Sequence, residues 1–192
     1  MTEQLRGSRI AEPASRLAAR RSFGERLIAA LKLDASVYEE VEHDPSALGQ
    51  SAGVVLLAAL ASAIGAFGVL GARGILSGLL ASLIGWLVWT AIVWLIGVKV
   101  FRHSSSFEEL LRTLGFVTAP QLLYVIAIIP LPFLAWLVGL VVLAMTLVAF
   151  VRAVRQALDV GTDRALAVSA LAVLAYLVLA ALVGGLGTGR LL

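Results

Sequence analysis

Six ionisable side chains that could act together fall within one short stretch: Asp34, Glu39, Glu40, Glu42, His43 and Asp44. Carboxylates beside an imidazole are the raw material of a divalent-metal site or of an acid–base pair. Their spacing argues against both. Neighbours in sequence point in different directions on a helix, so Glu42, His43 and Asp44 do not converge easily on one ion. A helical reading accounts for the same residues. With Asp34 or Ser36 as N-cap, residues 35–43 form a short helix. Val37, Tyr38 and Val41 share one face of it, and Glu39, Glu40, Glu42 and His43 share the wet face. Asp44 followed by Pro45 then reads as an N-cap with proline at the first helical position, which starts a longer helix near Pro45.

A second polar group lies inside an apolar run, at "VTAPQLLY". Pro120 removes one helix hydrogen bond and predicts a kink. Thr118, Gln121 and Tyr124 lie close to it. The group serves either as a helix–helix contact or as a polar point on a lipid or solute path. No Asp, Glu, Lys, Arg or His sits deep in an apolar stretch, which argues against proton relays and ion pumps. The chain has no cysteine, so thiolate metal sites and Cys nucleophiles are excluded. It has no glycine-rich phosphate loop and no Gly-x-Ser-x-Gly elbow. Glu39 and Glu40 supply the glutamate pair that opens the pattern of CAAX-type intramembrane proteases. That pattern continues with Arg four positions on and His on later helices. Here the fourth position is Asp44, and the other histidine, His103, falls in a loop. No catalytic, cofactor or metal residue is therefore assigned, and the chain is expected not to be an enzyme.

The elements that carry these residues follow from composition. Hydrophobic residues make up 60% of the 192, charged residues 14%, and the mean hydropathy is +0.99. A soluble domain carries roughly 25% charged residues, so lipid is the solvent for most of this chain. Five apolar stretches run over about 51–70, 75–98, 114–129, 132–151 and 165–186. A crossing takes about 20 residues at 1.5 Å each. The third stretch, counted strictly, reaches only about 24 Å. It either crosses or forms a hairpin with the fourth through "IIPLPF", where Pro130 ends one helix and Pro132 begins the next. The expected fold is all-α: a polytopic bundle of five transmembrane helices with short amphipathic N-terminal helices. The chain divides into a cytoplasmic segment, 1–44, and a membrane domain, 45–192. Capping boxes at Ser105 with Glu108, or Ser106 with Glu109, start the third helix near Phe107, with Arg112 snorkelling to water. Gly161 suits the C-cap of the fourth helix, and Thr162 or Asp163 the N-cap of the fifth.

Basic residues orient the bundle. Arg6, Arg9, Arg16, Arg20, Arg21, Arg26 and Lys32 precede the first span. Lys99, Arg102 and Arg112 follow the second, and Arg152, Arg155 and Arg164 follow the fourth. Only Arg73 and Arg190 fall on the other side. The positive-inside rule puts the N-terminus in the cytoplasm and the C-terminus outside. No cleavable signal segment precedes the first span. The N-terminal segment is itself split: residues 1–32 carry seven basic and three acidic groups, and 33–44 carry five acidic groups with no Lys or Arg. Phe23, Leu27, Ile28, Ala30 and Leu31 form an apolar face opposite Glu25, Arg26 and Lys32. This basic amphipathic helix suits either an anionic membrane surface or the protein's own loops. Arg20, Arg21 and Arg26, with Glu39, Glu40 and Glu42, are the candidate contacts for lipid or protein partners. The high pI reflects Arg placed for topology, and no basic aromatic platform for nucleic acid accompanies it. The GxxxG pairs Gly49/Gly53 and Gly74/Gly78, with Gly65, Gly68 and Gly71, read as packing seams within the bundle or, alternatively, between copies of the chain.

Three stretches resemble one family. "SVYEEVEHDPSALGQSAGVVLLAALASAIGA" is similar to the lead-in and first span of bacterial members of the Yip (Ypt/Rab-interacting protein) membrane-domain family. "FEELLRTLGFVTAPQLLYVIAIIP" resembles that family's third span, internal proline included. "AFVRAVRQALDVGTDRALAV" resembles the junction of its last two spans. The resemblance covers roughly 35–185 and implies five membrane helices with a cytoplasmic N-terminus. Eukaryotic members are associated with Rab-type GTPases and membrane traffic. This chain lacks their acidic-Leu-Tyr-Gly-Pro element, and the resemblance carries over no catalytic residues. Its Ala/Leu/Val/Arg-rich composition points to a bacterial inner membrane. The function expected is a non-enzymatic membrane organiser or scaffold that binds partners or lipids at the cytoplasmic face. The alternative is a translocator of lipid or a small neutral solute through the bundle.

Overall fold

The computed structural model describes residues 20–187, with the side chains of 68–74 and 183–187 left aside. Residues 1–19, Arg73 and Arg190, which bear on the orientation above, and Gly68, Gly71 and Gly74 of the packing seams therefore lie outside the described residues or side chains. Seven α-helices follow one another: α1 (Phe23–Leu31), α2 (Ala35–Glu42), α3 (Ala47–Gly65), α4 (Phe67–Trp94), α5 (Phe107–Phe116), α6 (Pro132–Ala157) and α7 (Thr162–Gly187). A π-helical turn, Leu95–Val100, extends α4, and a 3-10 helix, Ala119–Ile128, extends α5. No strand occurs among the described residues. Five segments are long and apolar enough to cross a membrane.

Local chemistry starts these helices. Ser22 and Glu25 close a reciprocal capping box on α1, and Ser106 and Glu109 do the same on α5. Asp34, not Ser36, caps α2 by accepting from Ser36 N at 3.0 Å. Asp44 accepts from Ser46 N at 3.0 Å in the turn that leads into α3, whose regular helix begins at Ala47. Helix ends depart from expectation. Asp159, not Gly161, takes the left-handed position after α6, with φ of 50°, while Val160 N donates to Arg155 O at 3.1 Å. Leu33 does the same after α1, with φ of 59° and Asp34 N on Ala29 O at 2.9 Å.

The first two spans divide at Ala66 instead of within 71–74, so the first helix ends earlier and the second begins earlier than the apolar run implies. The third span resolves the hairpin question. The α-helix gives way to the 3-10 form just before Pro120, which carries no N–H to continue the α pattern. Each 3-10 residue rises about 2.0 Å instead of 1.5. A Cβ at Gly115 would lie 2.5 Å from Ser51 Cβ, and one at Gly65 would lie 2.2 Å from the Tyr124 carbonyl oxygen. The third span therefore runs the height of α3, from Ser51 to Gly65, and is helical over Phe107–Ile128.

These two spans are the centre of the bundle. Half of the third and 44% of the first are buried, against 17–22% of the other three. The remaining spans turn a hydrocarbon surface outward, including Leu76, Leu80, Ile84, Trp136, Leu143, Leu166 and Leu177. A water-soluble monomer does not carry such a surface, and lipid accommodates it. Hydroxyls within the spans bond back along their own helices: Thr90 to Trp86 O at 2.8 Å and Thr113 to Glu109 O at 2.8 Å. The α1–α2 pair, the 101–106 connection and the 158–161 connection gather at one end: Arg112 reaches Glu42, Arg152 reaches Leu33, and Gly97 packs on Leu158.

Candidate functional site

The acidic stretch is dispersed, and most of it is used to hold the cap on the bundle. Arg26, on α1, is 1% exposed. Its Nε donates to Glu40 Oε1 at 3.0 Å, its Nη1 to Gln50 Oε1 at 2.9 Å, and its Nη2 to Asp44 Oδ2 at 2.7 Å. One guanidinium thus joins α1, α2, the turn after α2 and α3. Hydrogen bonds from Ser46, and then from Arg26, hold the Asp44 carboxyl down at about 2, against its burial. For Arg26 itself, burial works against the charge, but the bonds to Asp44 and Glu40 prevail and raise its pKa. Arg21 pairs with Asp34 at 3.3 Å and Glu40 at 3.6 Å, and Arg20 lies 3.5 Å from Asp44. The basic face, which suits either anionic lipid or the protein's own loops, is turned inward at Arg26 and paired with acids at Arg21. Of the three, Arg20 alone keeps its side chain mostly in solvent, 70% exposed. The pattern misled because a charge at helical spacing reads as a solvated face, whereas acids 14 and 18 residues away draw Arg26 inside.

The spacing of Glu42 predicts the wet face, with Glu39, Glu40 and His43, but its side chain is buried. Burial pushes its carboxyl up to about 7; His43 opposes this, and Asp159, Glu109 and Glu39 add to it. Val37, Tyr38 and Val41 are fully buried, as their spacing predicts. Glu39 and His43 stay exposed. His43 Nδ1 lies 2.9 Å from Glu39 O, a contact that raises the imidazole pKa. A cleft of about 400 Å³ opens here, lined by Arg20, Ser36, Glu39, Glu40 and His43 above the Arg26–Asp44 pair.

Arg112 departs from the place its position in the headgroup region predicts. Instead of snorkelling to water it is buried, and it closes the C-terminus of α2: Nε donates to Val41 O at 3.2 Å and Nη2 to Glu42 O at 2.6 Å. Ser51 Oγ donates to Arg112 O at 2.6 Å, so α2, α3 and α5 meet at this residue. Arg152 Nη1 donates to Leu33 O, and Gln156 Nε2 donates to Glu39 Oε2 at 3.3 Å, which ties α6 to the same cap.

The intramembrane group divides. Thr118 and Gln121 line a cavity of about 390 Å³ to which all five spans contribute. Pro120 is buried, and Tyr124 turns its backbone carbonyl to Gly65 without lining the cavity. Ser82, Trp86, Trp89, Thr146 and Tyr176 supply its other polar side chains, and among the described residues no Asp, Glu, Lys, Arg or His lines it. Thr118 Oγ1 donates to Gly115 O at 2.8 Å, the backbone partner expected of it. Ser82, Trp86 and Thr146 gave no signal, because such residues are common in membrane helices and converge only on folding.

A family model described as the Yip1 domain matches residues 34–183. Neither a curated protein nor a solved structure matches the chain.

Proposed function

Because the chain belongs to the Yip1-domain family, we propose that this multi-pass membrane protein is a non-enzymatic scaffold whose cytoplasmic cap binds partners. The observation that carries the reading is the fixed attachment of that cap. Arg26 and Arg112, both buried, lock α1 and α2 to two membrane helices, α3 and α5. A loose amphipathic segment would pay an ordering cost on binding, and a docked one does not. Glu39 and His43 then stand at the open cleft as the exposed part of a preformed surface. The end of the bundle that holds Arg20, Arg102, Arg152, Arg155 and Arg164 faces the cytoplasm under the positive-inside rule. The composition supports a bacterial inner membrane as its location.

The test is purification in native lipid, with copurifying proteins compared between wild type, a Glu39→Lys/His43→Glu double variant, and Arg26→Leu. Partners that depend on the cap disappear from both variants. An identical set in all three removes the scaffold reading.

The cavity supports a second reading, translocation of a lipid or small neutral solute, because Gln121 stands in a space shared by all five spans. Protein-dependent flux in liposomes that drops in Gln121→Leu is the expected result. Absence of flux across lipids and small solutes sinks it.

A further inference from the structure

The cavity holds polar atoms that the protein leaves without partners. Trp86 Nε1 and Thr146 Oγ1 are buried, and neither has a hydrogen-bond partner. Both residues line the cavity. An indole N–H is a donor only, so its missing partner is an acceptor. Leaving such a group unpaired costs about 1–3 kcal/mol, which a bound carbonyl oxygen would recover. Gln121, on the same wall system, offers an amide that can both donate and accept.

Four further observations narrow the ligand. The walls between these groups are hydrocarbon, with Leu114, Leu143, Leu147, Val173 and Leu177. Leu143, Leu147 and Leu177 are also 56%, 47% and 58% exposed on the outer surface of the bundle, so the cavity opens sideways between α6 and α7 into lipid. Among the described residues no charged side chain lines it, so a phosphate or carboxylate inside would be stripped of water without a counter-ion. Its volume of about 390 Å³ lies at the small end of sites for one organic ligand.

We propose that this cavity binds one uncharged acyl lipid of the acylglycerol class, drawn from the bilayer. The ester carbonyl accepts from Trp86 Nε1, the glycerol hydroxyl faces Gln121 and Thr146, and the acyl chain leaves between α6 and α7. The inference uses the cavity of the translocation reading but not movement. Binding without flux removes that reading and leaves this one standing.

The full-length protein in phosphatidylcholine nanodiscs, photolabelled with a diazirine-acyl diacylglycerol, tests the proposal. Peptides covering 114–121 and 143–150 should carry the label, and unlabelled diacylglycerol should compete it away. Trp86→Phe and Gln121→Leu should each lower cavity labelling about fivefold, the loss of one hydrogen bond of about 1 kcal/mol. Gly85→Leu provides a variant that keeps its fold: Gly85 lines the cavity, and a Cβ there meets nothing within 4 Å. It should abolish cavity labelling while circular dichroism and elution volume stay as in wild type. Labelling of the same peptides by a diazirine-acyl phosphatidylglycerol at equal strength overturns the proposal. So does undiminished labelling in Gly85→Leu, or label confined to the outer surface around Leu76 and Leu80.

Discussion

The Arg26 guanidinium donates from Nη2 to Asp44 Oδ2 at 2.7 Å, and the two side chains are only 1% and 5% exposed. Neither charge has water to fall back on, so the pair acts as a clasp between the cytoplasmic helices and the first span. Removing Arg26 leaves the buried Asp44 with Ser46 and only the longer Arg20 contact at 3.5 Å, a loss that approaches the ~3–5 kcal/mol of a stranded buried charge. Arg26→Leu should therefore abolish amide-exchange protection in α1 and α2 while α3 keeps its own. The Asp44 carboxyl lies at about 2, below its ordinary value of 3.8. A depressed acid stabilises the fold fully above its unfolded value and loses that contribution as pH falls through its folded one. The clasp should accordingly hold at pH 5 and weaken between about pH 4 and pH 2. Unchanged protection in Arg26→Leu would show that the cap is held elsewhere.

Glu42 has the opposite sign. Its carboxyl sits at about 7 in the folded protein against 4.5 ordinarily, chiefly because it is buried. The folded state then binds the proton more tightly than the unfolded one between these values, so stability falls as pH rises from about 4.5 to 7. Glu42→Gln keeps the shape and removes the charge. The variant should match wild type near pH 4 and exceed it at pH 8 by about 3 kcal/mol, the free energy equivalent to the two pKa values. Thermal unfolding of both proteins across that range measures it. Parallel curves would mean that Glu42 is solvated.

What the sequence discloses and what it conceals divide along the range of the interactions. Five spans, the capping box at Ser106, and the inward face of Val37, Tyr38 and Val41 are set by residues within a few positions of one another. Gln121 stood out for the same reason, as a lone amide in an apolar run. Arg26 and Arg112 lie inside because their partners are distant: Arg112 bonds to Glu42 O across 70 positions. A charge read locally belongs in water, and only the assembled bundle supplies these with internal partners. The division between the first two spans was displaced because Ala66 carries no helix-breaking signal, while Gly71 and Gly74 do.

Arg112 makes a distinction between charge and shape measurable. Its planar fork spans the last carbonyls of α2, Val41 O and Glu42 O. A lysine keeps the charge but not the fork. Arg112→Met strands the buried Glu42 carbonyl, at about 1–3 kcal/mol, and leaves Val41 O with Asp44 N at 3.4 Å, so 31–45 should become a site of rapid proteolysis. Arg112→Lys should fall between Met and wild type. Equal resistance in Lys and wild type would assign the effect to charge alone.

The glycines of this chain are not equivalent, and the difference tests the crossing of the third span. A Cβ at Gly65 would lie 2.2 Å from the Tyr124 carbonyl oxygen, a backbone atom that cannot step aside without moving the helix. Gly65→Ala should therefore destabilise by about 1–3 kcal/mol. Gly78 belongs to one of the GxxxG pairs, yet a Cβ there meets nothing within 4 Å. Gly78→Ala should stabilise its helix by up to about 1 kcal/mol. Melting of the two variants in the same detergent gives shifts of opposite sign if the third span lies along the whole of α3. A neutral Gly65→Ala would instead leave Tyr124 short of the far end of α3, which is the geometry of a hairpin that turns back inside the bilayer.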